Sequence, residues 1–94
     1  IKVVNISDTE HLARELVLIK VRATADTRAD IVNIVNTFRA KIVDISRSNV
    51  VIQLTGNSKK IDAICEVLSD YEIIEIARTG TIALSRGPIP AKHM

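Results

Sequence analysis

The fold of this chain is decided by residues 15–47, which read ELVLIKVRATADTRADIVNIVNTFRAKIVDISR and contain a strand pattern, a helix pattern and a second strand pattern. The same order of patterns returns in residues 49–78, which read NVVIQLTGNSKKIDAICEVLSDYEIIEIAR. The predicted elements are strands at 15–23, 41–47, 49–56 and 71–78 and helices at 26–40 and 57–70. A βαββαβ order in one short domain predicts an α+β ferredoxin-like sandwich, with two helices on one face of a four-stranded antiparallel sheet.

The apolar residues of these segments recur at the spacing that each predicted element requires. In the helices they fall at i, i+3, i+4 and i+7 and so share one face, and in the strands they alternate between the two faces. The predicted core consists of Val17, Ile19, Val21, Ile31, Ile34, Val35, Phe38, Val43, Ile45, Val50, Ile52, Leu54, Ile61, Ile64, Cys65, Leu68, Ile74 and Ile76. This is one modest core, as expected of a single domain of 94 residues.

The sheet face turned away from the helices is predicted to carry several aliphatic side chains. They are Leu18, Ile42, Val51 and Ile73, which stand among Lys20, Asp44, Gln53 and Glu75. A contiguous patch of this kind marks a protein interface or is covered by the chain's own ends, whereas isolated surface aliphatics are ordinary. We predict that Leu18, Val51 and Ile73 are contacts at a subunit interface.

Composition argues against several classes of function. The chain is 47% hydrophobic and 26% charged, which is typical of a folded domain, and its net charge of +2 is too small and too dispersed for a nucleic-acid footprint. RNA-binding sandwiches stack bases on aromatic residues of the central strands, but here Phe38 lies in a predicted helix and Tyr71 at a strand entry. No apolar run approaches the roughly 20 residues of a membrane span, and the single Cys65 cannot form an internal disulfide. We expect a cytoplasmic domain that binds neither nucleic acid nor a membrane.

The residues that carry enzyme chemistry are scattered along the chain. His11 and His93 are too far apart to form a local metal motif. Cys65 falls on the apolar side of a predicted helix and is expected to be a small core residue. The three glycines form no phosphate-binding motif. We therefore expect no catalytic, cofactor-binding or metal-binding residue in this chain.

Both ends of the chain fall outside the repeated units. Residues 1–6 read IKVVNI, a strand pattern without a partner in the βαββαβ plan, and residues 7–14 are polar and are expected to form a linker. Residues 79–87 are expected to be extended, and residues 88–94, which begin Pro-Ile-Pro, to be a loose tail. Because the chain begins with Ile1 and not Met, we expect it to be a piece of a longer protein, cut on its N-terminal side.

Four stretches together resemble one family, the small regulatory subunit of acetohydroxyacid synthase, also called acetolactate synthase. They are RELVLIKV at 14–21, FRAKIVDI at 38–45, QLTG at 53–56 and EIARTGTIALSRG at 75–87. The last is the most specific, because order and spacing agree over more than a dozen residues. The resemblance covers the C-terminal part of that subunit. It implies that residues 15–87 are an ACT-like C-terminal domain, that residues 1–14 are the last strand of a missing ACT domain plus a linker, and that residues 88–94 are a flexible tail.

The family's small subunit has no catalytic activity of its own. The resemblance implies that it binds and activates the large catalytic subunit in valine, leucine and isoleucine biosynthesis, and that it forms a homodimer or a higher oligomer. Thiamine diphosphate, Mg and FAD are then expected in the catalytic partner alone. Feedback by branched-chain amino acids would act through the ACT domain upstream of Ile1, so no feedback-site residue is expected in this chain.

Two other interpretations remain open at this point. One is a stand-alone ACT-like sensor that binds an amino acid at a dimer interface, through the loop at residues 24–27, although this loop lacks glycine. The other is a small enzyme of the acylphosphatase type, in which arginines near the first strand would hold a phosphate. The candidates are Arg14, Arg22 and Arg28, which no glycine-rich cradle accompanies.

Overall fold

The structure is a computed structural model, and it describes residues 11–86. Within this range the elements are β1 (His11–Arg22), α1 (Arg28–Thr37), β2 (Lys41–Ile45), β3 (Asn49–Gly56), α2 (Ser58–Leu68), β4 (Ile73–Arg78) and β5 (Ile82–Ser85). The strands are antiparallel and are arranged in the order β2-β3-β1-β4, with β5 paired to β1. This order and the two helices confirm the predicted ferredoxin-like, ACT-like sandwich.

The core lies between the helices and the two central strands, because α2 packs over β1 and β3 while α1 packs beside α2 and β2. Its fully or almost fully buried residues are Val17, Ile19, Val21, Ala23, Ile31, Val35, Val50, Ile52, Leu54, Ile61, Ile64 and Leu68. Ile34, Phe38 and Cys65 pack against this cluster and are partly buried. The predicted inward faces of both helices and both central strands are therefore confirmed.

The faces predicted for β2 are wrong at Ile42, which was expected on the face away from the helices. Ile42 lies opposite the buried Ile52 and packs against the core. The register then shifts between Ile42 and Asp44, so that Val43 is an extra residue on β2. Because of the inserted residue, the side chains that face the core are even-numbered before it and odd-numbered after it. As a result Val43, predicted to be a core residue, is 50% exposed.

The same correction applies to β4, where Ile73 was predicted to lie on the outer face. Ile73 lies opposite the buried Val21 and packs against the core. The register shifts there too, between Lys20 and Val21 on β1, and Ile74 is the extra residue on β4. Ile74, predicted to be in the core, is 44% exposed.

Two further residues predicted for the core, Ile45 and Ile76, are about half exposed. They lie opposite the core residues Val50 and Ile19, so their predicted face is right. However, β2 and β4 are the edges of the main sheet, and α2 covers the central strands rather than β4. Edge residues on the helical side are therefore only half covered.

The first strand is longer than predicted and begins inside the segment expected to be a linker. Residues 11–14 continue β1 and pair with β5, with Leu12 opposite Leu84 and Arg14 opposite Ile82. We call this two-stranded unit, residues 11–14 with β5, the ribbon. It joins the main sheet through Thr79, whose backbone N–H donates to the Leu16 carbonyl at 2.9 Å.

Several predictions concern residues outside the described range. They are the strand at 1–6, the start of the linker at 7–10, the tail at 88–94 and His93. The domain boundary predicted between residues 14 and 15 stays a prediction, although β1 runs through it without interruption. Within residues 11–86, neither helix has the length and apolar character needed to cross a membrane.

Candidate interface on the open face of the sheet

We define the open face as the side of the sheet opposite both helices. Along β1 it carries the even-numbered residues from Leu12 to Arg22, because the odd-numbered residues from Glu15 to Val21 are buried on the helical side. Its two ends differ in chemistry: the end beneath β2, β3 and β4 is mixed in charge, and the end formed by the ribbon is apolar.

The mixed end is built from one row of residues that crosses all four strands of the main sheet. The strand register places Asp44, Val51, Lys20 and Glu75 side by side in this order. Lys20 Nζ lies 2.8 Å from Glu75 Oε1, and this hydrogen bond and ion pair raise the pKa of Lys20 and lower the pKa of Glu75. Both side chains remain accessible to a partner, at 35% and 71% exposure.

The apolar end is a stripe of five aliphatic residues, which we call the apolar stripe: Leu12, Leu16, Leu18, Ile82 and Leu84. Leu12 and Leu18 are 41% and 36% exposed, and Ile82 and Leu84 are 68% and 72% exposed. At about 3.3 Å per residue, the stripe extends roughly 20 Å along β1. Aliphatic side chains left this open on contiguous strands form the kind of patch that marks an interface.

Two of the three predicted interface residues lie on the open face, and the third does not. Leu18 and Val51 line a shallow cavity of about 210 Å³ together with Lys20, Glu75, Ile76 and Ala77. Ile73 is turned into the core by the β4 bulge and cannot line this cavity. The structure carries no partner, so the contact role of Leu18 and Val51 stays a prediction.

Most of the apolar stripe was not predicted from the sequence. Leu12 falls in the segment interpreted as a polar linker, and Ile82 and Leu84 fall in the stretch interpreted only as extended. The sequence does carry a signal for it. Leu12, Leu16 and Leu18 are all even-numbered and so lie on the same face of β1, and Ile82 and Leu84 alternate with small residues. The exposed Arg14 interrupts the first pattern and conceals it.

On the helical side, where the ribbon meets the main sheet, Glu15 holds a buried carboxylate. Glu15 is 6% exposed. One oxygen accepts from Arg78 Nε at 2.7 Å, and the other accepts from the hydroxyls of Ser58 and of Thr81, the latter at 3.1 Å. The hydrogen bonds from Ser58 and Arg78 lower the pKa of Glu15, so the carboxylate is charged at neutral pH. Arg78 is held in turn by Asp62, at 2.7 Å from Nη1 to Oδ1, and both acidic partners raise its pKa.

The loop considered for amino-acid binding uses its polar groups internally. Thr24 N–H donates to Thr27 Oγ1 at 3.1 Å, and the Arg28 N–H donates to the Thr24 carbonyl at 2.9 Å. The Arg28 guanidinium, a candidate for phosphate capture, donates to the carbonyls of Ser46 and Arg47 at 3.1 and 2.9 Å. These contacts tie the loop to the neighbouring turn, and they engage one terminal nitrogen of the Arg28 guanidinium.

The one free thiol among the described residues has the environment expected of a core cysteine. Cys65 is partly buried against the core, and burial raises the pKa of its thiol. A raised pKa keeps the thiol protonated at neutral pH, and a protonated thiol is a poor nucleophile.

Within residues 11–86, the fold is a ferredoxin-like, ACT-like domain in which both helices pack on the same side of the sheet. The chain belongs to the acetolactate synthase small subunit family, because the family model described as "Small subunit of acetolactate synthase" matches residues 14–87. This agrees with the resemblance drawn from the four sequence stretches.

Individual relatives give the same result. The chain is 48% identical to an acetolactate synthase small subunit of Mycolicibacterium smegmatis and 49% identical to one of Bacillus subtilis, over 94% and 93% of its own length. A crystal structure of the acetolactate synthase small subunit from Thermotoga maritima superposes with a TM-score of 0.76 at 39% identity, over 85% of this chain and 49% of that one. The chain spans about half the length of these relatives, at 52%, 51% and 49%.

Proposed function

We propose that this chain is part of a regulatory, non-catalytic subunit that binds and activates the catalytic subunit of acetolactate synthase. Membership of the small subunit family supports the proposal. The observation that carries it is the open face, where Leu18, Ile82 and Leu84 lie exposed. Such a domain works through what it contacts.

The pathway and the cofactors follow from the same proposal. The subunit would act in the cytoplasm, in the synthesis of valine, leucine and isoleucine. Thiamine diphosphate, Mg and FAD would belong to the catalytic subunit, where the bond-making chemistry takes place. This chain would contribute binding energy to the assembly and no reacting group.

We take the partner of the open face to be a second copy of this chain. The mixed end carries both signs of charge, with Lys20 between Val51 and Glu75 and with Asp44 at the edge. Across a two-fold axis such a row is self-complementary, because the lysine of one copy can approach the carboxylates of the other. The apolar stripe would be buried in the same contact, which is where the gain in free energy arises.

Feedback inhibition would reach this domain from outside it. A branched-chain amino acid would bind an ACT domain, of which residues 1–14 are predicted to be the last strand plus a linker, and would change how strongly this domain docks. Such an effect is a coupling free energy between two sites and acts in both directions. The prediction is that this chain activates without conferring sensitivity to valine.

Reconstitution tests the proposal. The purified chain is titrated into the catalytic subunit, and acetolactate formation is measured with and without valine. We expect activation that saturates with added chain and that valine does not change. Val51→Asp, which places a charge on the open face beside Asp44, should reduce both self-association in the ultracentrifuge and activation. Ile45→Asp, at an exposed edge position of the helical side, is the matched control.

Three results would contradict parts of this proposal. Absence of any activation would refute the regulatory role. Equal effects of Val51→Asp and Ile45→Asp would refute the open face as the contact. Loss of activation by Val51→Asp with unchanged self-association would assign the open face to the catalytic subunit instead of a second copy. Calorimetry of this chain alone with valine, leucine and isoleucine distinguishes the regulatory subunit from the stand-alone sensor. The sensor interpretation requires heat of binding, and the regulatory proposal predicts none.

A further inference from the structure

Glu15 lies at the residue where β1 changes its pairing partners. On one side of it, Glu15 itself is the last residue paired with β3, opposite Gly56. On the other side, Arg14 is the first residue paired with β5, opposite Ile82. The carboxylate therefore lies at the root of the ribbon, where the chain leaves the main sheet.

The donors that surround Glu15 come from the junctions of three other segments. Ser58 is the first residue of α2, Arg78 is the last residue of β4, and Thr81 lies in the connection between β4 and β5. Arg78 also reaches Asp62 on α2, which ties the end of β4 to the same helix. A single buried carboxylate thus connects the base of the ribbon to the body of the domain.

We propose that Glu15 is a positioning residue that locks the ribbon in line with the main sheet, so that the apolar stripe is presented as one continuous surface. The ribbon needs such a lock because two strands alone are marginally stable in water. No helix packs closely on the ribbon, because an open space of about 630 Å³, lined by Ala13, Arg14 and Lys59 among others, lies beside Glu15.

 The ribbon and the N-terminus of α2 are therefore separated by open space, and the Glu15 network bridges it.

The geometry explains why the carboxylate, and not a neutral side chain, is suited to this position. Both of its oxygens accept hydrogen bonds, from Arg78 on one side and from Ser58 and Thr81 on the other. Glutamine has the same shape but offers one oxygen and one NH₂ group. In Glu15→Gln, the amide oxygen can still accept from Arg78 and the NH₂ group can donate to the hydroxyls of Ser58 and Thr81, but the charge that pairs with Arg78 is lost. The lock is then weakened, because charge-assisted hydrogen bonds are replaced by weaker neutral ones.

The consequence for docking rests on the proposed function. With the lock closed, Leu12, Ile82 and Leu84 are held in register with Leu18, so a partner meets a preformed surface. With the lock open, the ribbon must be ordered again on binding, and affinity falls by that cost. The lock itself is a property of the free chain and can be measured without any partner.

Amide hydrogen exchange of the full chain tests the lock. In Glu15→Gln, we expect the β1-bonded amides of residues 82–85 to exchange at least about tenfold faster, while amides of β3 change by less than about threefold. Thr81→Val, which removes one donor and keeps the shape, should give the same pattern with a smaller increase. Glu66→Gln is the control, because it neutralises an exposed carboxylate on α2 that belongs neither to the Glu15 network nor to the open face.

The outcomes separate this proposal from the proposed function. If both variants leave exchange at residues 82–85 within about twofold of wild type, or accelerate β3 and β5 equally, the lock is refuted. If the ribbon is released in Glu15→Gln but self-association and activation are unchanged, the lock stands and the ribbon's share in docking is refuted.

Discussion

Ile82 provides the sharpest test of the open face, because it is 68% exposed on the ribbon and has a matched counterpart elsewhere. Ile82→Thr keeps a β-branched side chain suited to a strand and removes most of its apolar surface. Ile45, at 56% exposure on the edge strand β2, lies opposite Val50 on the helical side and is not part of the open face. Ile45→Thr is therefore the control for the loss of an exposed isoleucine as such.

The magnitude follows from the exposed fraction. Complete burial of an isoleucine side chain stabilises by about 1.5–3 kcal/mol. With 68% of Ile82 exposed in the free chain, docking has about 1–2 kcal/mol to gain from this residue. A two-fold dimer buries this residue once in each copy, so the substitution removes about 2–4 kcal/mol and raises the Kd of self-association by roughly 30- to 900-fold.

Sedimentation equilibrium over a range of chain concentrations measures this Kd. We expect an increase of roughly 30- to 900-fold for Ile82→Thr, because both copies carry the substitution, and a change of less than about twofold for Ile45→Thr. Thermal unfolding of both variants at low concentration checks that each domain is intact. The reasoning is refuted if Ile82→Thr associates as tightly as wild type, or if the two variants weaken association equally.

The remaining predictions concern the core, the buried carboxylate and the thiol. Ile64→Ala should lower the free energy of unfolding by about 2–5 kcal/mol, because Ile64 is fully buried; urea denaturation measures the loss, and a cost below about 1 kcal/mol would contradict the assigned core. The pKa of Glu15 is lowered in the folded chain, so the carboxylate stabilises the fold at pH values above its ordinary pKa of 4.5, and this stabilisation is lost as the pH falls through the folded pKa. The difference in unfolding free energy between wild type and Glu15→Gln should therefore shrink in acid. A difference that is constant from neutral to acidic pH would contradict this. Cys65 should react with a disulfide reagent at pH 8 more slowly than a free cysteine, because burial raises the pKa of its thiol; reaction at the rate of a free thiol would show that the residue is not packed as described.

The sequence predicted the centre of this fold well and its edges poorly. In the helices and in β1 and β3, one side of each element is fully buried, so apolar residues recur at the period of the element. Examples are Ile61, Ile64 and Leu68 in α2 and Val17, Ile19 and Val21 in β1. On β2 and β4, one extra residue in each strand reversed the parity, which is why Ile42 and Ile73 were placed on the wrong face. A bulge depends on the partner strand as well as on the strand that carries it, so a single run of residues does not reveal it.

The candidate interface was predicted in part for the same reason. Leu18 and Val51 lie on the central strands, where alternation is regular, and their face was predicted correctly. The ribbon was missed because its two strands come from opposite ends of the described chain and each is short and mixed in polarity. Only the pairing of Leu12 with Leu84 reveals that they form one surface, and pairing across this distance has no local signal.

Hydroxyl-radical footprinting of the open face tests the central claim most directly. The side chains of Leu12, Ile82 and Leu84 are probed in the dilute chain and in the self-associated chain, alone and reconstituted with the catalytic subunit. We expect strong protection of these residues in the self-associated chain, with Ile45 as reactive as before. Unchanged reactivity along the apolar stripe, with protection on another surface, would contradict it.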